Sequence, residues 1–418
     1  MKGFLLLGFV ATVTSAFAAP IVDPNDVVFT QNDAQEATVT YKLTGEPAIV
    51  TLDVQTNAGN GVWASIGRGN LQPVAGDVNR LVAETGVTKT IHWRPTRTWA
   101  DKTFESGEVR AVVKAWSTNA PPDYMMVDLT LEKSVFWYES EAELPYGSVT
   151  NDIYKTRMLV MRKIPAANVL WRAGTPYSDM PSNSEITNRR LNETPSPVVL
   201  TKDYYIGVYP MTVGQFARVR YLKGDDQNVT GDFPVKLPQT NVSWEKIRGT
   251  GDGAGWPDDS SPDAASALGW IRSLTGIPLD LPTEMQWEFA CRGGMSTALY
   301  SGKAYTQDNV KELAWTKDNA SALNEVGQKP QNGYGLYDML GNCWEWVLDW
   351  RDTTERTSQL RIDPRGRSSD SDNGNARMVR GGSFGHDWKY ARCGFRNFGN
   401  GQSTTGDNRG YRLCWTLP

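Results

Sequence analysis

Histidine is nearly missing from this chain: His92 and His386 are its two copies in 418 residues. A metal centre that needs three imidazoles therefore cannot be assembled from one copy of it. Cysteine is scarce as well, with four residues, Cys291, Cys343, Cys393 and Cys414. The sequence before Cys291 can hold neither a disulfide framework nor a thiolate metal site. Neither sign of charge dominates, because 43 Lys and Arg stand against 47 Asp and Glu for a formal net charge of −4. That balance excludes the basic footprint that nucleic-acid binding requires. Past the N-terminus no apolar run approaches the roughly 20 residues of a membrane-spanning helix. There is no His-Glu-x-x-His helix and no phosphate loop, and no nucleophile elbow is identified.

What is present begins with residues 1–18. Lys2 precedes the apolar run Gly3–Val13, and Ala16-Phe17-Ala18 follows with small residues at the spacing of a cleavage site. This is the pattern of an export signal, and it predicts a secreted, periplasmic or extracellular protein. No cysteine lies near the cleavage point to carry a lipid. Residues 25–130 then alternate apolar and polar in short runs such as Ala37–Tyr41, Ile49–Val54 and Val109–Trp116, separated by Gly, Asn and Pro. Period-two runs of β-branched residues predict antiparallel strands, and a β-sandwich of immunoglobulin or fibronectin type fits them. The stretch carries no cluster of catalytic residue types, so spacing or adhesion is its expected role.

Residues 131–156 read as a linker and 157–418 as a second domain, opening with a strand at Met158–Lys163. A helix is expected over Asp263–Leu274, capped by Asp263 and stopped by Gly276, and another from Thr283 carrying Trp287 and Phe289. Long stretches of Gly, Asn, Asp and Ser lie between, so much irregular structure is expected. The densest segment is Asn332–Trp346, which packs Gly333, Gly335 and Gly341 together with Asp338, Glu345, Trp344 and Trp346. Glycines permit backbone conformations closed to other residues. Carboxylate and carbonyl oxygens are the ligands a hard cation such as calcium prefers, so the segment reads as a turn that holds an ion.

The same segment, with its Gly-Asn-x-Trp-Glu-Trp core, resembles the signature of the formylglycine-generating enzyme, or sulfatase-modifying factor, family. Three further pieces match in order: Leu281–Gly294, Arg380-Gly-Gly-Ser-Phe384 and Gly410-Tyr-Arg412. Weaker matches at Asn241–Trp244 and Tyr205–Thr212 extend the resemblance over about residues 155–418. It implies a mixed α+β body similar to a C-type lectin fold. It also implies a calcium ion held by the side chains of Asp338 and Glu345 and the carbonyls of Gly341 and Cys343, and a structural disulfide between Cys291 and Cys393. Trp344, Ser383, His386 and Arg396 fall where the family lines its substrate groove.

Enzymes of the family are oxygen-dependent protein-cysteine oxidases that hold copper between two cysteines shortly after the Arg-Gly-Gly-Ser motif. Here Phe384–Arg392 contains no cysteine, and His386 falls near the first of those positions. Soft copper(I) selects soft thiolates, so copper is not expected. A related branch uses iron held by several histidines, which this chain lacks. The resulting expectation is an exported relative that binds a peptide, glycan or protein in the inherited groove. The alternative is an active oxidase or maturation enzyme whose altered metal site uses Cys343, Cys393 or Cys414.

Overall fold

A computed structural model describes residues 18–32, 35–67, 71, 74–97, 107–132, 134–179, 193–224, 235–250, 256–257, 261–352, 358–370 and 374–418. The export signal lies almost wholly outside these residues. The chain is mostly β with few helices and divides into two units, Met1–Pro121 and Pro122–Pro418.

The described residues of the first unit form two antiparallel sheets. One joins Ile21–Val22, Val28–Gln31, Ala37–Thr44, Val74–Gly76 and Thr88–Trp93, and the other joins Ala48–Asn57, Trp63–Ser65, Arg80–Val82 and Val109–Ser117. Alternation sets the inward face. In Ala37–Thr44 the residues Ala37, Val39, Tyr41 and Leu43 are buried, while those between them are partly or fully exposed. They pack into one cluster with Val50, Leu52, Val54, Ile91 and Trp93. Full burial of each aliphatic side chain contributes about 1.5–3 kcal/mol, which is what orders strands this short.

The second unit begins earlier than the sequence suggests. Tyr124–Asp128 and Val135–Tyr138 pair with each other and, through Tyr124–Asp128, with Met158–Ile164, so the expected linker 131–156 includes an edge strand of the second unit's largest sheet. That sheet continues through Tyr204–Gly207 to Cys414–Thr416 near the chain's end. The misreading has a physical cause: Tyr124–Asp128 is buried at every position and so lacks the alternation that marks a one-sided strand. A second sheet joins Trp344–Trp350, Arg377–Arg380, Asn397–Phe398 and Arg409–Tyr411, and a third joins Val169–Ala173, Ser196–Leu200 and Arg361–Ile362.

Among the described residues five short helices complete the unit: α1 (Val213–Leu222), α2 (Trp244–Arg248), α3 (Ala267–Thr275), α4 (Glu284–Arg292) and α5 (Gln307–Leu313). α3 starts later than expected. Ser266 caps it by accepting the Gly269 N–H, while Asp263 accepts the Thr250 N–H instead. Gly276 does end it, in the left-handed conformation at φ 72°. α4 has the expected start, where Thr283 and Gln286 form a reciprocal capping box. Among the described residues no helix is long and apolar enough to cross a membrane.

Candidate functional site

The four sequence motifs converge on one sheet. Trp344–Trp350 pairs antiparallel with Arg377–Arg380, placing Glu345 opposite Arg380, and parallel with Arg409–Tyr411, placing Glu345 opposite Gly410. α4 packs on this sheet, and every residue from Glu284 to Arg292 is buried. A helix carrying two glutamates and an arginine can be buried on all sides only if each charge meets a partner. Arg380 donates to Glu284 at 3.3 Å and to Glu288 at 2.7 Å, and Arg292 donates to Glu288 at 2.7 Å. Trp287 Nε1 donates to Glu345 Oε2 at 2.7 Å.

Arg412 completes the network. It binds Glu345 at 2.7 Å and donates to the carbonyls of Gly207, Val208 and Tyr337 at 2.8, 2.9 and 2.8 Å. Arg396, one of the groove candidates, is 3 % exposed and gives two of its guanidinium nitrogens to Glu284, one at 2.8 Å, so it is part of the charged core.

Asp349 sits beside that core. Its Oδ2 accepts the Glu284 N–H at the start of α4 at 2.6 Å. Burial, and then the neighbouring Glu284 carboxylate, push its pKa up from 3.8 to about 7. Between those values the folded protein keeps a proton that the unfolded chain releases. The stability contributed by this group is therefore complete below 3.8 and lost as pH rises through about 7. Asp349→Asn keeps an acceptor for the helix start without the charge. We expect it to flatten the fall in melting temperature between about pH 5 and about pH 8. Equal slopes in the variant and the parent would remove this assignment.

Trp344, Ser383 and His386 do come together. Ser383 Oγ lies 2.7 Å from His386 Nδ1, and Trp344 Nε1 donates to the same nitrogen at 3.2 Å. An indole N–H can only donate, so Nδ1 is the acceptor and the neutral ring carries its proton on Nε2. Trp344 and Ser383 are each 1 % exposed, and the half-buried imidazole covers them. Tyr390, which sequence reading passed over, packs edge-on against His386 at 5.7 Å and against Phe395 at 5.0 Å. Its signal was its place in the same cysteine-free segment.

Sequence reading also missed that Gly381-Gly-Ser-Phe-Gly385 has the spacing of a nucleophile elbow. Its context differs from one. The turn follows Arg377–Arg380 but leads only to the short 3-10 turn Trp388–Tyr390, and an elbow presents an exposed serine, which Ser383 is not.

The proposed ion turn is held from several sides. Gly341 has φ +76°, and a Cβ there would lie 2.5 Å from the Trp315 carbonyl oxygen, so no other residue fits. Asn342 exchanges two side-chain hydrogen bonds with the backbone of Asn324, both at 3.0 Å. Asp338 accepts the Gly327 N–H on Oδ2 at 2.6 Å, while its buried Oδ1 has no partner. Burial above all raises the Asp338 pKa from 3.8 to about 6, against the lowering effects of the Gly327 hydrogen bond and Arg412. Glu345 is already engaged on both oxygens by Arg412 and Trp287. Among the described residues no group of three His, Cys, Asp or Glu is placed to hold a metal ion.

The cysteines are all buried thiols. Those of Cys291 and Cys393 hydrogen-bond each other, and burial is the main cause that raises Cys291. Burial likewise pushes up Cys343 and Cys414. No pair of thiols faces the His386 site.

Comparison with known proteins finds several similar chains. The formylglycine-generating enzyme of Bos taurus is 29% identical over 215 residues, covering 46% of this chain and 54% of that protein. The inactive C-alpha-formylglycine-generating enzyme 2 of Mus musculus is 35% identical over 123 residues, covering 27% and 32%. The chain thus spans about half the length, or less, of these curated relatives. Among solved structures, the variable protein 1 of Treponema denticola is similar at 26% identity with a TM-score of 0.44, covering 65% of this chain and 97% of that one. Residues 160–417 match the family model described as the sulfatase-modifying factor enzyme 1-like domain, and the chain belongs to that family.

Proposed function

We propose that this protein is a binding member of its family, taking a peptide, glycan or protein segment at the surface formed by His386 and Tyr390 above Trp344 and Ser383. The observation that carries the reading is the His386 ring, whose Nδ1 takes both the Ser383 hydroxyl hydrogen and the Trp344 indole N–H. A copper ion does not fit the residues here, because the four thiols are buried and Cys393 faces Cys291. That the family includes a relative named as inactive is in keeping with it. The first unit, which we read as an immunoglobulin- or fibronectin-type sandwich, would serve as a spacer or adhesive module. Peptide and glycan arrays probed with the parent protein and with Tyr390→Ala test the assignment. Saturable ligands lost in the variant are expected; arrays without such ligands, or ligands indifferent to the change, would remove it.

We also propose calcium as the structural ion of the Asn332–Trp346 turn. The orphaned Asp338 Oδ1 and the oxygen-rich donor set suit a hard cation. Asp338 and the carbonyls of Gly341 and Cys343 would hold it. Glu345 would have to share it with Arg412. An ion bound only by the folded state stabilises that state by mass action. A chelator should therefore lower the melting temperature of the parent and leave Asp338→Ala unmoved. No chelator effect, in protein shown to be free of residual metal, would defeat the assignment. The same export context would let Cys291 and Cys393 close a disulfide, which non-reducing peptide mapping reads directly.

A further inference from the structure

A cavity of about 590 Å³ opens between the end of Ser196–Leu200, the start of α4, the loop around Asp363–Arg365 and the strand Cys414–Thr416. It shares no lining residue with the Trp344, Ser383 and His386 site. Its size falls within the range of small-molecule pockets. We propose that this cavity binds a small ring compound carrying a carboxylate.

The charges decide the sign of the ligand. Two carboxylates reach the cavity, and both are spent within the protein. Asp280 is held by Arg248 at 2.8 Å and by Arg272 at 3.1 Å, and Asp363 accepts the Thr201 N–H at 2.8 Å and its hydroxyl. Arg272 is spent in turn, since its Nε also donates to the Leu279 carbonyl at 2.7 Å. Lys202 and Arg365 remain. Neither has a carboxylate or other side-chain acceptor among the described residues.

Arg365 is also held ready. Its guanidinium lies 4.3 Å from the Trp256 ring centroid, and the Trp256 indole N–H donates to the Arg365 carbonyl at 3.0 Å, so each fixes the other. A guanidinium stacked by its face keeps its in-plane N–H donors for a second partner, and two parallel donors match a carboxylate. The adjoining loop is tied down where Asp363 N–H donates to Val199 at 2.9 Å. A ring is favoured over an extended chain by the aromatic wall. Trp415 lines the cavity with its plane set by stacking on Tyr205, at 5.6 Å and 9°. Flat apolar faces beside fixed polar donors suit either an aromatic acid or a uronic-acid sugar.

The experiment titrates the full chain with benzoate and with glucuronate at constant ionic strength, following tryptophan fluorescence. Benzamide and glucose serve as neutral counterparts. Saturable binding of at least one acid is expected, with its neutral counterpart, and the double variant Lys202→Ala/Arg365→Ala, weaker by about tenfold or more. Both substitutions are on exposed side chains, so the fold should persist, and an unchanged circular dichroism spectrum checks it. Which acid binds distinguishes the aromatic from the sugar source. No saturable response to either acid, equal binding of the neutral compounds, or unchanged affinity in the double variant would overturn the proposal. None of these results bears on the His386 surface.

Discussion

Arg412→Met is expected to destabilise the second unit by about 3–5 kcal/mol, the range found when one partner of a buried ion pair is removed. Arg412 is fully buried, and its loss would leave Glu345, 1 % exposed, with a negative charge and, among the described residues, only the Trp287 N–H in place. Three carbonyls, of Gly207, Val208 and Tyr337, would lose a donor at the same time. The substitution preserves bulk, so packing alone predicts a small effect, and the electrostatic loss dominates. The double variant Arg412→Met/Glu345→Gln separates the two contributions. Removing the stranded charge should recover part of the loss, because the cost lies in the unpaired group more than in the missing attraction. Denaturant unfolding monitored by tryptophan fluorescence reads the parent, Arg412→Met, Glu345→Gln and the double variant. Loss below about 1 kcal/mol in the single variant, or simple additivity in the double one, would show that Arg412 is not the hub the geometry makes it.

The same residues explain what the sequence could and could not tell. Motif order pointed to the fold because the motifs meet in space: Glu345 pairs with Arg380 and Gly410 in one sheet, and Arg412 follows that sheet's strand Arg409–Tyr411 and binds Glu345. Short alternating strands in the first unit were legible for the usual reason, one wet face and one dry. The charged core was not legible. Glu284, Glu288 and Arg292 recur at helical spacing, a pattern equally open to a solvent-facing stripe, but all three are buried, with Arg380 from far along the chain binding both glutamates. Local periodicity cannot tell water from an arginine as the partner of a carboxylate. Arg396 entered the groove set through the family resemblance, and Asp349 passed unnoticed. Tyr124–Asp128 was lost to the neighbouring unit by the related failure, since a strand dry on both faces has no period to read.

Incubation with a sulfatase-type cysteine peptide, copper and oxygen is expected to yield no formylglycine, whereas an active family member run alongside should convert the peptide. The oxidation needs copper(I) held by thiolates next to the bound peptide, and soft ligands select that ion. Phe384–Arg392 supplies none. His386 comes at the third position after Ser383, and its Nδ1 is already the acceptor for Ser383 and Trp344, so it presents no free nitrogen on that side. The remaining thiols are buried elsewhere. Cys343 is 1 % exposed and Cys393 0 % exposed, and burial raises the Cys343 pKa, which keeps it protonated and unreactive. A surface that positions a peptide without a reactive centre gives affinity and no rate. Mass spectrometry of the peptide, read for the mass loss of the aldehyde, decides the matter. Copper-dependent turnover that disappears in Cys343→Ser or Cys393→Ser would establish a relocated metal site and replace the binding assignment with an enzymatic one.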